Sequence, residues 1–222
     1  VPAVCRAIGV ERRLAGAPGV VLTFDDGPHP EGTPAVLEAL DRAGARAVFF
    51  VVGEQVERFP SLVAELAAAG HEVALHGYRH LNQMRVTPGW LADDLKRGAE
   101  AIVSATGTPP TLYRPPYGIF TPAGLVIARR AGYRPLLWSR WGRDWRAQTS
   151  AAEIAALAAR DLTAGDVVLL HDADWYSAAG SHLRTAAAVP LLLDAIERRG
   201  LQPTGSGSAS TASSAGTRSQ SM

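Results

Sequence analysis

The chain reads as an α/β protein built on a parallel sheet, and three observations predict this. Apolar runs of four to six residues alternate about six times with helical stretches of ten or more, the rhythm of repeated βαβ units. The runs are continuous, as in strands covered on both faces. Chemically useful polar residues collect just after them, at 25–26, 76–80, 114–118, 138–145 and 171–172. In a closed barrel all these positions share the C-terminal rim, where active sites gather. With 222 residues the chain is short for eight full units. A seven-stranded or distorted barrel fits better, and an open sheet is the architectural alternative.

Residues 1–17 lack a firm pattern and read as a solvated lead-in. The first strand covers about 20–25, and Pro30-Glu31 opens a helix that Gly44 stops. Ala47 to Val52 is a second continuous apolar run. Pro60 to Ala69 reads as a helix ended by Gly70, and 71–75 as a third strand. Thr87 caps a long helix with Pro88 at its first position, running to about Ala105. Thr111 to Arg114 is a short strand halted by two prolines, and Thr121-Pro122 starts the next helix. Arg134 to Trp138 reads as the fifth strand, with its proline early enough to be tolerated. Ser150 and Glu153 form a capping box before a helix to about Leu162. Strand 166–170, a helix over 182–199 and a last short strand at Leu201 complete the domain, placed at 18–203. Residues 204–222 are mostly Ser, Gly, Thr and Ala and read as a disordered tail.

Composition narrows the function. Net charge is +1 and Lys96 is the sole lysine, so nothing resembles a nucleic-acid footprint or a polybasic membrane anchor. Cys5 is the only cysteine, which excludes an intrachain disulfide and a thiolate cluster. No run of eighteen apolar residues and no secretory leader is seen.

Asp25 and Asp26 end a core strand. Carboxylates there are costly unless a metal or hydrogen-bond partners meet them. Neighbours in an extended chain point in different directions, so one acid can hold a metal while the other faces a substrate. Asp-Gly-Pro is also turn composition, which is the plainer reading. His76 and His80 are spaced to clamp one ion, although a histidine pair four apart also arises by chance; with a strand-end carboxylate they make a three-ligand set with an open position. Arg114 begins the rigid turn Arg114-Pro115-Pro116-Tyr117-Gly118, where a cation can fix a carboxylate; the alternative is an ordinary loop. His171 ends a buried strand, placed for a general acid if Asp144 orients it, or else a satisfied core histidine. His29, His71 and His182 read as structural or surface residues. Trp138, Trp141, Trp145 and Trp175 are sugar platforms or core.

Thr23-Phe24-Asp25-Asp26-Gly27-Pro28, His76-Gly77-Tyr78-Arg79-His80, Arg114-Pro115-Pro116-Tyr117-Gly118, Asp144-Trp145 and Leu170-His171-Asp172 resemble, in order, the five motifs of the polysaccharide deacetylases. This is the NodB-homology group, also called carbohydrate esterase family 4. The resemblance covers about 18–203. It implies a distorted (β/α) barrel of seven or eight strands and one divalent metal ion, zinc first, with cobalt, manganese or nickel as alternatives. By resemblance Asp26, His76 and His80 hold the metal. Asp25 is the base, oriented by Arg114, and His171 the acid, held by Asp144. Leu169 and Trp145 line the acetyl-methyl pocket, and the Tyr117 amide serves the oxyanion.

The expected partner is an acetylated polysaccharide or oligosaccharide, chitin-like or peptidoglycan, acted on by a monomer. The resemblance favours a secreted or envelope-associated protein, though the sequence leaves the compartment open. An O-acetyl esterase acting on xylan and a catalytically silent carbohydrate-binding protein are the alternatives. Two departures stand out. Gly77 replaces the usual Ser or Thr, removing a hydroxyl that can support the loop. Trp141 stands where an acid is frequent, and is expected to reshape the cleft.

Overall fold

The computed structural model describes Cys5 and residues 7–207. Seven strands lie in one sheet: β1 (Val21–Asp25), β2 (Ala47–Val51), β3 (Glu72–Leu75), β4 (Leu112–Tyr113), β5 (Arg134–Pro135), β6 (Arg140–Trp141) and β7 (Val167–His171). Their order is β5-β4-β3-β2-β1-β7-β6, and every neighbouring pair is parallel. The helices are α1 (Gly32–Arg42), α2 (Gly53–Arg58), α3 (Pro60–Ala68), α4 (Pro88–Thr106), α5 (Pro122–Arg130), α6 (Ala151–Ala158) and α7 (Ser181–Glu197).

The predicted caps form. Thr87 Oγ1 accepts the Trp90 N–H, Thr121 Oγ1 accepts the Gly124 N–H, and Ser150 and Glu153 cap each other reciprocally. None of the described helices is long and apolar enough to cross a membrane.

The sheet curls strongly without pairing its two edges. β5 and β6 lie at opposite edges, yet only residues 136–139 separate them. Fully extended, that link spans roughly 17 Å. Seven strands laid flat would put the edges roughly 29 Å apart. The sheet therefore curls into a distorted barrel. This also explains why the predicted fifth strand over 134–138 breaks after Pro135: the chain leaves one edge there to reach the other.

The lead-in laces the remaining gap. Glu11 bridges Leu136, Arg13 bridges Asp166, and the Leu14 N–H donates to Gly165 O at 2.9 Å. Val10 and Leu14 are buried, so this stretch is not the solvated segment its charges imply. Cys5 is buried with Val10, Leu125 and Leu137. At the other end the expected strand at Leu201 is only a bridge, Val20 to Pro203. The Thr204 N–H donates to Val20 O at 2.9 Å, and Ser206 is buried. The remainder of the expected tail, from residue 208, lies outside the described residues.

Strand alternation sorts the core into two parts. Leu22, Phe24, Phe49, Leu170 and their neighbours face the helices. Val21, Val48, Phe50, Ala74, Leu112, Leu136 and Val167 fill the barrel interior below the rim. The same inward register carries Thr23, Asp25, Leu169 and His171 upward to the rim, because Thr23 pairs with Leu169 and Asp25 with His171 across β1 and β7.

Candidate active site

At the rim, inward side chains of β1 and β7 meet residues that follow β1, β3, β4, β5, β6 and β7. Together they line a pocket of about 260 Å³. A larger groove of about 780 Å³ between α4 and α5 is mostly apolar and holds no comparable cluster of acids and histidines.

Asp25 and Asp26 both reach this pocket, although successive residues of a strand should diverge. The reason is the backbone at Asp26, whose φ of 80° ends the extended conformation and turns its carboxylate back inward. A non-glycine residue in the left-handed region is uncommon, and such strain collects at functional sites.

Arg114 is fully buried, and all three of its guanidinium nitrogens donate hydrogen bonds. Nη1 donates to Asp25 Oδ1 at 2.6 Å and Thr23 Oγ1 at 2.8 Å. Nε and Nη2 donate to the Leu136 and Leu137 carbonyls, each at 3.0 Å. The guanidinium also lies 4.0 Å from the Phe50 ring centre. Those two carbonyls belong to the link that crosses between the sheet edges, so one cation joins barrel closure to the orientation of Asp25. Asp25 Oδ2 is left facing the pocket, 3.9 Å from His76 Nε2.

Asp26 Oδ1 lies 3.4 Å from His76 Nε2 and 3.2 Å from His80 Nε2. It is buried without a hydrogen-bond partner. The ligand atoms of these three residues lie within 4.8 Å of one another. His76 Nδ1 is 2.7 Å from the Arg114 carbonyl, which can only accept. The proton therefore sits on Nδ1 and leaves the Nε2 lone pair for a metal. Burial pushes the Asp26 pKa up, but His76, His80 and His171 outweigh it and hold this carboxyl well below the usual range. An ionised acid with an unsatisfied oxygen between two histidines fits a divalent cation such as zinc.

A second cluster, His29, Asp174 and His182, also has ligand atoms within 4.8 Å of one another. Its chemistry differs. His29 Nδ1 accepts the N–H groups of Glu31 and Gly32 at 3.2 and 3.0 Å, capping the start of α1. Its Nε2 then carries the proton and points to Asp174 Oδ1 at 3.4 Å. A metal there would require a doubly deprotonated ring, so this set is a structural latch. His71 is structural as well, accepting the Ala47 N–H at 3.2 Å.

On the opposite wall, His171 Nδ1 is 3.1 Å from Asp144 Oδ1, and its backbone N–H donates to Asp144 Oδ2 at 2.6 Å. Thr185 from α7 donates to the same oxygen at 2.9 Å. Burial alone would lower the His171 pKa. Asp144, reinforced by Asp26 and Asp25, overcomes it and raises the value to about 10. The other ring nitrogen, Nε2, is free for the pocket. Asp172 is turned away: burial raises its pKa to about 7, and it accepts a short hydrogen bond from Thr33.

Leu169, Trp138, Trp145 and Tyr117 line the same pocket, and Trp145 stands edge-on to His171 at 5.6 Å. Trp141 does not line it; from β6 it pairs with Leu169 of β7. Trp175 packs on His29 and Phe59. Gly77 has φ of 97°, and a Cβ there would sit 3.0 Å from Arg79 O and 3.1 Å from Asp94 Oδ2. The departure from Ser or Thr at this position thus matches the local backbone. Asp94 replaces the missing hydroxyl as loop support, accepting the Tyr78 and Arg79 N–H groups at 2.9 and 3.0 Å.

The sequence reading missed Tyr176, which lines the pocket and stacks on His80. Its one signal is an aromatic residue in the loop after β7, on the rim side.

The chain is similar to several known deacetylases and esterases. The chain is 36% identical over 196 residues to a chitooligosaccharide deacetylase from Bradyrhizobium sp. (strain ANU 289), covering 85% of this chain and 89% of that protein. It is 34% identical over 184 residues to a peptidoglycan-N-acetylglucosamine deacetylase from Bacillus cereus, covering 82% and 83%. A family 4 carbohydrate esterase from Streptomyces lividans, solved with acetate, superposes with a TM-score of 0.75 at 31% identity over 85% of this chain and 93% of that one. The Bc1960 peptidoglycan N-acetylglucosamine deacetylase superposes with a TM-score of 0.81 at 27% identity, covering 88% and 89%. The sequence profile of the polysaccharide deacetylases matches residues 13–136, and this chain belongs to that family.

Proposed function

We propose that this protein is a metal-dependent deacetylase that hydrolyses the N-acetyl groups of a glycan built from N-acetylglucosamine, of the chitooligosaccharide or peptidoglycan type, and releases acetate. One observation carries the reading. A carboxylate fixed by Arg114 and a histidine fixed by Asp144 face one pocket, with the Asp26, His76 and His80 set beside them. The relatives' activities support the choice of amide and sugar.

In this reading Asp26, His76 and His80 hold one divalent ion, zinc foremost, though cobalt, manganese and nickel suit the same donors. An ion bound there would supply Lewis acidity to the acetamide carbonyl and to the attacking water. Asp25 takes the water's proton on Oδ2, since Arg114 occupies Oδ1. The backbone N–H of Tyr117, in a turn with φ of 61° at that residue, stabilises the oxyanion. Leu169 and Trp145 receive the acetyl methyl. His171 donates its proton to the departing nitrogen, because an unprotonated amine is a poor leaving group. Asp144 keeps that proton available by holding the ring and raising its pKa.

The test is acetate release from N-acetylglucosamine oligomers and from acetylated xylan, side by side. The reading requires release from the oligomers that falls by orders of magnitude in Asp25→Asn. Release from xylan alone would make the protein an ester hydrolase. Release from neither, nor from peptidoglycan, with glycan binding unchanged in Asp25→Ala, would make it a binding protein.

A further inference from the structure

Histidines that ligate a metal ordinarily donate their second ring N–H to a carboxylate or carbonyl, which fixes the plane of the ring. His76 obeys this through the Arg114 carbonyl. His80 does not. Its side chain is only 5% exposed, and its Nδ1 is buried with no hydrogen-bond partner. Something else must set the angle of this ring.

Aromatic contact supplies it. Tyr176 lies flat against the imidazole, with ring centres 4.0 Å apart and planes 9° from parallel. Tyr117 closes the other approach edge-on at 4.8 Å and 65°. Tyr176 is itself tethered at both ends. Its hydroxyl donates to Glu54 Oε1 on α2 at 2.8 Å. Its loop is pinned by Asp174, whose carboxylate accepts the Gly180 N–H at 2.7 Å and faces His29 and His182 at 3.4 and 3.2 Å. Asp174, at the centre of the His29–Asp174–His182 cluster, thereby holds the loop that carries the stacking ring through its bond to Gly180.

We propose that Tyr176 is a positioning residue for the metal centre, setting the plane of His80 by stacking where His76 uses a hydrogen bond. A flat ring in contact blocks rotation of the imidazole about its terminal side-chain torsion, which is broad when unconstrained. That rotation would swing Nε2 away from Asp26 Oδ1. The electron-rich tyrosine face also favours the positive character an imidazole gains on binding a cation. The inference rests on the metal-centre reading above, and its test separates the two.

The experiment is a competition titration of metal-stripped protein with zinc, alongside the visible spectrum of the cobalt form. It compares wild type with His76→Ala, Tyr176→Phe, Tyr176→Leu and Tyr176→Ala. Wild type binds one ion per chain, and His76→Ala loses it. Tyr176→Leu and Tyr176→Ala weaken binding about 10–100-fold, the usual effect of losing an outer-shell partner, and change the cobalt spectrum. Tyr176→Phe keeps the stack and stays close to wild type. Melting of the metal-free variants shows whether each is folded, and the leucine variant preserves bulk if alanine does not fold. Zinc affinity and cobalt spectrum unchanged in both Leu and Ala variants would overturn the inference. A loss in Tyr176→Phe equal to that in Tyr176→Ala would do the same, by assigning the effect to the hydroxyl. Failure of wild type to bind zinc would instead overturn the metal-centre reading, and this inference with it.

Discussion

Arg114→Met is the most informative single substitution for the frame of the site. Methionine keeps much of the buried volume but removes every donor. Asp25 Oδ1, Thr23 Oγ1 and the Leu136 and Leu137 carbonyls then lose the hydrogen bonds they now receive. Breaking a buried ion pair by removing one partner costs about 3–5 kcal/mol, since the remaining charge stays buried without compensation. That is a large part of the roughly 5–15 kcal/mol by which a domain is stable. For a chain of this size each kcal/mol lowers the melting temperature by about 2–4 °C, so a drop of roughly 6–20 °C is expected. The assay is thermal unfolding of metal-stripped protein, followed by circular dichroism, for Arg114→Met, Asp25→Ala and the double variant. Because the two side chains touch, the double variant should be more stable than the sum of the single losses implies. A single-variant cost below about 1 kcal/mol, or strictly additive losses, would refute the claim that this pair fastens the barrel link to Asp25.

Other perturbations test separate parts of the site. Asp144→Asn removes the group that raises the His171 pKa, so the alkaline limb of the pH–rate profile should move to lower pH by at least about one unit, equivalent to 1.36 kcal/mol. The same linkage appears in stability. With a folded pKa raised to about 10 from 6.5, His171 contributes stability to the metal-free protein that is fully present below pH 6.5 and lost as pH rises toward 10. Denaturant titrations across that window should show the decline in wild type and a much smaller one in Asp144→Asn. Gly77→Ser restores the more usual residue but places a Cβ at φ of 97° against Arg79 O and Asp94. It should destabilise the protein by about 1–3 kcal/mol in chemical denaturation and bring no gain in acetate release.

Much of this was legible in the sequence because the barrel's central strands are uninterrupted apolar runs. β1, β2 and β7 are buried along nearly their whole length, and no solvent-facing alternation obscures them. The helix starts were equally clear where Thr87, Thr121 and Ser150 announce them. What escaped depended on closure of the sheet, which no local pattern encodes. Leu136 and Leu137 look like strand residues, yet their carbonyls turn to the Arg114 side chain as the chain crosses between edges. Glu11 and Arg13 look solvated, yet their backbones bridge that gap. α2 escaped because Gly53–Arg58 is a single short stretch with a glycine start and no capping side chain. The site residues were recoverable as an ordered set, but their convergence was not. The inward turn of Asp26 depends on a positive φ, and the stacking of Tyr176 on His80 depends on a loop whose Asp174, with His182 of α7, meets His29, a residue far away in sequence.

The central claim is that acetate release runs through an ion held by Asp26, His76 and His80. The most direct measurement is the rate of acetate release from N-acetylglucosamine oligomers before chelation, after chelation, and after adding back zinc or cobalt. The account predicts activity that chelation abolishes and added metal restores, with no restoration in His76→Ala. Release that persists undiminished in fully metal-stripped protein would contradict it.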